Sequence, residues 1–155
     1  MSQEILENYF EKHRERFVGE WLDFLSFPSI SALPQHREDC LACANWLVRH
    51  LGHMGFAARL LPSSSNPVVF AIRPGRPDRP TVMFYGHYDV QPADPLDAWT
   101  TPPFAPAIRN GRVYARGAQD NKGQIFYVLK ALETLLKNTC LDHTVKLIFE
   151  GDEES

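Results

Sequence analysis

An α/β fold, with a mixed and mostly parallel sheet flanked by helices, is what this 155-residue sequence predicts. Three observations carry that reading. Two long stretches in the first third repeat apolar residues at spacings of three and four, the period of a helix packed along one face. Short apolar runs of strand length follow, separated by turn-forming clusters. A third helical stretch then leads into a nearly continuous apolar run at 145–149, the pattern of a strand inside a sheet. Helices alternating with strands in this way build layered α/β domains.

Each element has a local cause. Residues 3–25 place Ile5, Leu6, Tyr9, Phe10, Phe17, Val18, Trp21, Leu22 and Leu25 along one stripe, and Ser2 stands where an N-cap belongs. Phe27-Pro28 stops that helix, and 29–34 reads as a loop. A second helix runs from about 37 to 54 through Cys40, Ala44, Leu47, Val48 and Leu51, with Gly55 as its C-terminal stop. Strand-like runs follow at 56–61, 68–72 and 82–85. Between them lie Ser63-Ser64-Ser65-Asn66 and the Pro/Gly-rich 74–80, both turn chemistry. The stretch 90–106 is proline-rich and irregular, with Trp99 and Phe104 as anchors. Asn110-Gly111, between 107–108 and 112–115, is a strong hairpin signal. The loop 116–120 opens a helix over 122–137 with Ile125, Val128, Leu129, Leu132, Leu135 and Leu136 on its buried side. A last strand covers 143–149 and ends in Glu150-Gly151-Asp152-Glu153-Glu154-Ser155.

Composition narrows the function classes. Hydrophobic residues make up 44% and charged residues 23%, as in ordinary globular domains, and the length suits one domain or part of a larger one. A net charge of -3 leaves no basic footprint for nucleic acid. No apolar run approaches the roughly 20 residues of a membrane span. The N-terminus lacks the basic start and apolar core of a signal peptide, so the expected location is cytoplasmic. The three cysteines, Cys40, Cys43 and Cys140, form no disulfide pattern. The Cys40/Cys43 pair shares one helix face and reads as small buried side chains rather than a redox or zinc motif. His50 and His53, in the last turn of the second helix, suit the macrodipole there and have no carboxylate nearby in sequence, so they read as surface residues.

Polar chemistry gathers at three points. The apolar run 81–85 delivers His87 and Asp89 just beyond its end, where open α/β sheets place their sites. Asp120 opens the third helix, and Glu153-Glu154 follow the last strand. Imidazole with carboxylates and no thiolate suits zinc, manganese or cobalt. A ligating histidine usually donates its other ring N–H to a carboxylate, and Asp89 stands two residues from His87. Adjacent carboxylates repel unless a cation or water lies between them, so one of Glu153/Glu154 can ligate while its neighbour acts as a general base. Spacing alone leaves the plainer readings open: a chance His-x-Asp, an N-cap at Asp120, a solvated acidic turn at 152–154. Other enzyme signatures are absent. There is no Gly-x-Ser-x-Gly and no Gly-x-Gly-x-x-Gly, and the order Lys122-Gly123 does not make a phosphate-binding loop.

At these residues the sequence resembles the M20 family of metallopeptidases, the dipeptidase and amino-acyl deacylase group. The matching motifs are Gly86-His87-Tyr88-Asp89-Val90-Gln91-Pro92, Trp99 with Pro103-Phe104, Asn110-Gly111-Arg112-Val113-Tyr114-Ala115-Arg116-Gly117, Asp120 with Lys122-Gly123, and Glu150-Gly151-Asp152-Glu153-Glu154-Ser155. They come in family order over about 80–155. The helical first half fits the family's layout with much lower specificity. The resemblance implies a zinc-peptidase-like catalytic domain with two divalent metals, zinc first and manganese or cobalt as alternatives. In it His87 ligates one metal, Asp89 orients His87, Asp120 bridges the metals, Glu153 is the general base and Glu154 the second carboxylate ligand. The Gly-His-Tyr-Asp-Val-Gln-Pro wording resembles the dipeptidase, carnosinase-like branch. The implied activity is amide hydrolysis in dipeptides or small peptides, with N-acyl amino acid deacylation as the alternative. Asn121 departs from the pattern, since many members carry a second aspartate there, but that is not a ligand position.

Family members are much longer. Residues 1–155 are therefore expected to be the N-terminal part of a catalytic domain, without the later ligands or the domain that closes on substrate and forms a homodimer. A non-catalytic fragment that pairs with a complementary chain is the competing expectation. The 145–149 strand, lacking later neighbours, is expected to expose its ladder groups.

Overall fold

The structure is a computed structural model and describes residues 3–138 and 141–155. The expectations placed on Ser2 and Cys140 lie outside the described residues.

Helix α1 covers Gln3–Leu25 and buries Phe17, Phe24 and Leu25. Its first turns stand clear of the core, with Ile5 46% and Phe10 45% exposed. Pro28, which has no backbone N–H to donate, helps to prevent its continuation. After a 3-10 turn at Pro34–His36, α2 spans Arg37–His53 and buries Cys40, Cys43, Ala44, Leu47 and Leu51. That is the stripe expected of a helix with one face on a core. Gly55 ends the turn at φ +88°, a left-handed conformation that favours glycine. Helix α3, Lys122–Lys137, buries Ile125, Phe126, Leu129 and Leu132. It packs on α1 through the stacked rings of Trp21 and Phe126.

The strands are β1 Ala57–Leu61, β2 Val68–Arg73, β3 Thr81–His87, β4 Ala107–Arg109, β5 Arg112–Tyr114 and β6 Thr144–Glu150. β4 and β5 form the hairpin signalled by Asn110-Gly111, whose φ values of 50° and 72° are those of a type I′ turn. The other four make one sheet in the order β1-β2-β6-β3. It is mixed, as expected, but in a different proportion. Among the described residues β1/β2 and β2/β6 are antiparallel, and β3/β6 is the one parallel pairing. The cause lies in the connections. β1 and β2 are joined by a short turn, which reverses the chain, whereas α3 lies between β3 and β6 and allows a parallel crossover.

β6 also corrects an expectation. It is not left with open ladder groups, because β2 flanks one side and β3 the other. Val145, Leu147 and Phe149 alternate into the core with Cys43, Leu47, Val69, Ile125 and Leu129. The free edge next to β6's parallel partner belongs to β3.

Candidate metal centre

The parallel pairing of β3 with β6 builds the site. Its register sets Gly86 opposite Phe149 and His87 opposite Glu150, so both chains leave the sheet at the same level. β3 runs two residues past the apolar 81–85 run, because Gly86 and His87 keep pairing. Gly86 is needed there: a Cβ would stand 2.6 Å from Asn121 Oδ1 and 3.0 Å from Ile125 Cγ1. Beyond the strand, the Tyr88 N–H still donates to the Glu150 carbonyl at 2.8 Å, and the Val90 N–H donates to the Ser29 carbonyl at 2.9 Å.

His87 is the hub. Its Nε2 lies 3.2 Å from Asp120 Oδ1 and 3.7 Å from Glu153 Oε2. Its Nδ1 lies 3.2 Å from the Asp89 carbonyl oxygen and 3.3 Å from Asp89 Oδ1. Asp89 is fully buried. Its Oδ2 accepts from the Ser31 hydroxyl at 2.6 Å and from the Glu154 N–H at 2.8 Å. Its Oδ1 makes no hydrogen bond among the described residues and lies 3.3 Å from His87 Nδ1. Burial favours neutral His87, but the Asp89 and Glu153 carboxylates outweigh it and raise the imidazole pKa to about 9. Burial likewise pushes Asp89 up, and the His87 imidazole beside Oδ1, with the bonds from Ser31 and the Glu154 N–H, more than offsets it and holds the carboxyl below its usual range.

Asp120, Glu153 and Glu154 all reach this corner. One donor atom each from His87, Asp120 and Glu154 lie within 4.8 Å of one another. The set joins an imidazole to carboxylates, and an orphaned buried acceptor faces the far ring nitrogen, which is how a histidine is held for a cation. These residues fit a divalent metal. Asp120 does not cap α3: that position falls on Asn121, which makes no side-chain cap bond. Asn121 Oδ1 instead accepts the His87 N–H at 3.2 Å, and its Nδ2 donates to Gln124 at 2.7 Å.

Several supporting residues escaped the sequence reading. Ser31 lies in a stretch read only as loop, and Asn121 was set aside as a non-ligand. Gln91 Nε2 donates to Glu154 Oε2 at 2.6 Å, and its place in the Gly-His-Tyr-Asp-Val-Gln-Pro stretch was the available signal. Lys122, fully buried, donates to the carbonyls of Phe24 at 3.2 Å and Phe27 at 2.7 Å. It thereby ties the start of α3 to the end of α1. The buried Cys40 and Cys43 are free thiols, as expected.

The histidines of α2 require a correction. His53 is exposed, but His50 stacks on Trp46 with ring centroids 4.6 Å apart and keeps only 12% side-chain exposure. Carboxylates distant in sequence surround it. Glu20, His50 and Glu133 meet closely enough to hold a cation, yet the Lys130 ammonium already bonds all three, at 2.9 Å to both His50 Nε2 and Glu133 Oε2.

Among the described residues no helix is long and apolar enough to cross a membrane. The family model for Peptidase family M20/M25/M40 matches residues 83–155. A Beta-Ala-His dipeptidase of Mus musculus is 33% identical over 167 residues, covering 98% of this chain and 34% of that protein. A succinyl-diaminopimelate desuccinylase of Delftia acidovorans is 36% identical over 129 residues, covering 79% and 33%. Among solved structures, the M20 family metallo-carboxypeptidase Sso-CP2 from Sulfolobus solfataricus is 38% identical with a TM-score of 0.82, covering 89% of this chain and 31% of that one. The chain thus spans about a third of the length of the relatives it matches. Its fold is that of their catalytic domains, and a metallopeptidase relationship implies the divalent metal that the His87 corner fits. The family match begins within β3 and takes in every residue of that corner except Ser31, and on these grounds the chain belongs to peptidase family M20/M25/M40.

Proposed function

We propose that residues 1–155 form the N-terminal part of the catalytic domain of a metallodipeptidase, which hydrolyses the amide bond of dipeptides or small peptides. One observation carries the reading: donor atoms of His87, Asp120 and Glu154 converge within 4.8 Å at the carboxyl ends of two parallel strands. His87, Asp120 and Glu154 would hold two divalent cations, zinc first and manganese or cobalt otherwise. Bound there, the metal supplies a lowered water pKa and polarisation of the scissile carbonyl.

The chain's own residues do the rest. Asp89 accepts the His87 Nδ1 proton and so keeps the Nε2 lone pair turned toward Asp120 and Glu154. Ser31 and the Glu154 N–H occupy Asp89 Oδ2, which leaves Oδ1 for the imidazole. Glu153, with 48% side-chain exposure and 3.7 Å from His87 Nε2, takes a proton from the attacking water and returns it to the departing amine. In a protein of the relatives' length, the lid, the later ligands and a homodimer contact belong to sequence outside these residues. The location we propose is the cytoplasm.

The desuccinylase relative at 36% identity supports a second reading, deacylation of N-acyl amino acids by the same residues. Titrating the protein, extended to the relatives' length, with zinc and manganese, then assaying dipeptides beside N-acyl amino acids, tests both; residues 1–155 alone are expected to hydrolyse little. Dipeptide turnover that disappears in Glu153→Gln, with cation uptake retained, is the expected result. Turnover confined to N-acyl substrates selects the second reading. Absence of cation uptake, or full activity in Glu153→Gln, overturns the mechanism.

A further inference from the structure

The turn that carries Glu153 and Glu154 has no regular structure of its own, and much of its fixing comes from the loop between β1 and β2. Asn66, 4% exposed, directs three hydrogen bonds at it. Its side-chain amide donates to the Gly151 carbonyl at 2.9 Å and to Asp152 Oδ1 at 2.7 Å. Its backbone N–H donates to Asp152 Oδ2 at 3.0 Å. Both oxygens of the Asp152 carboxylate are thus engaged by one residue 86 positions away. The loop itself is shaped for this: the Ser63 hydroxyl donates to the Asn66 carbonyl at 2.6 Å and accepts the Ser65 N–H at 3.1 Å. On the next residue, the Pro67 carbonyl accepts the Tyr88 hydroxyl at 2.6 Å. Tyr88 lies hard against the turn, since a Cβ on Gly151 would stand 2.3 Å from its hydroxyl oxygen.

The geometry points to Asn66 and Asp152 as a positioning clamp that sets Glu153 and Glu154 at the His87 corner. The clamp rests on the reading of Glu153 and Glu154 as working carboxylates, and it adds what holds them there. Neither clamp residue touches the donor set. Both Asp152 oxygens are turned to Asn66, and Asp152 is not among the residues whose donor atoms converge at the corner. A carboxylate accepting two N–H groups from a rigid, buried partner has little freedom, and the residues that follow it inherit that restriction. Glu154 is then secured from the far side through its N–H to Asp89. The two carboxylates are therefore in place before a cation arrives, which spares the binding step the cost of ordering them. Loss of such supporting contacts typically lowers metal affinity about 10- to 100-fold.

The test uses Asn66→Ala, Asp152→Ala and the double variant, with Ser64→Ala, in the same loop but exposed, as the control. Hydrogen exchange at the Glu154 amide in the metal-free protein reads the clamp directly. Exchange should quicken in both single variants, and the double variant should be no worse than either, because the two residues share one set of bonds. Manganese or zinc affinity by calorimetry should fall about tenfold or more in folded variants, and in a protein of the relatives' length kcat on a dipeptide should fall while KM stays near its parent value. Unchanged Glu154 exchange in both single variants, or additive losses in the double variant, overturns the clamp. If the parent chain takes up no cation, the metal reading fails on its own, and the exchange measurements still decide the clamp. Should Asn66→Ala unfold, Asp152→Ala, at a half-buried turn position, answers the same question.

Discussion

Asp89 shows how much a single buried carboxylate can settle. Its Oδ2 is filled by Ser31 and the Glu154 N–H, while Oδ1 faces His87 Nδ1 at 3.3 Å. An amide at this position must keep its oxygen toward Ser31 and Glu154, which turns its NH2 toward the imidazole. In the neutral ring that NH2 competes with the Asp89 carbonyl, 3.2 Å from Nδ1, and where Nδ1 accepts from it the ring proton moves to Nε2 and the lone pair meant for a cation is lost. Asp89→Asn should therefore lower divalent-metal affinity about 10- to 100-fold in a protein that still folds, and the tautomer change should appear in the His87 ring 15N shifts. Unaltered affinity with the Nδ1–H tautomer retained would refute the orienting role. His87 and Asp89 were legible because they stand two residues apart at the end of an apolar run. Ser31 and Asn66 were not: they meet the site across 58 and 86 positions, and nothing in a short polar loop announces which distant group it will bond.

The helices were readable almost to the residue, because a stripe at spacings of three and four has one physical interpretation. What they do to one another was not readable. α1, α2 and α3 meet where Lys130 bonds Glu20, His50 and Glu133, while Arg16 also bonds Glu133, and each helix alone shows only an ordinary surface charge. The cluster makes stability pH-dependent. Burial, and after it Lys130, lower the His50 pKa from 6.5 to about 4. The fold thus resists protonating His50, and this contribution is complete above pH 6.5 and is lost as pH falls toward 4. Glu133 follows in the next window. Burial would raise it, but Arg16 and Lys130 outweigh that and hold it at about 2, so its contribution, complete above about pH 4.5, is lost as pH falls toward 2. One pKa unit is worth about 1.4 kcal/mol, so His50 should cost on the order of 2–3 kcal/mol across its window. Urea melts between pH 7 and 4 should show that decline, and His50→Gln should flatten it. An unchanged slope in His50→Gln would place the acid sensitivity elsewhere.

At the scale of the whole molecule, strand positions were legible and strand order was not. Each apolar run declared itself, yet the last strand in the chain, β6, enters between β2 and β3. Pairing energy and core packing decide that insertion, and periodicity carries no record of it. The consequence is an edge in an unexpected place. Among the described residues β6 is closed on both sides, while β3 has no partner on its outer side. Along it, Met83 is 60% and Tyr85 61% exposed, on the face opposite the one that Val145, Leu147 and Phe149 turn toward the helices. A free edge beside exposed apolar side chains is a template for strand pairing. The 155-residue chain should accordingly associate as its concentration rises, measured by sedimentation velocity. Met83→Lys should shift it toward monomer, because stacking a second edge there would bury the new charge. Met83 is exposed, so the same change should alter unfolding free energy by no more than about 0.5 kcal/mol. Association that persists undiminished in Met83→Lys would mean that another surface mediates it, and the apolar groove between α1 and α3, lined by Phe10, Trp21 and Tyr127, would be the next to test.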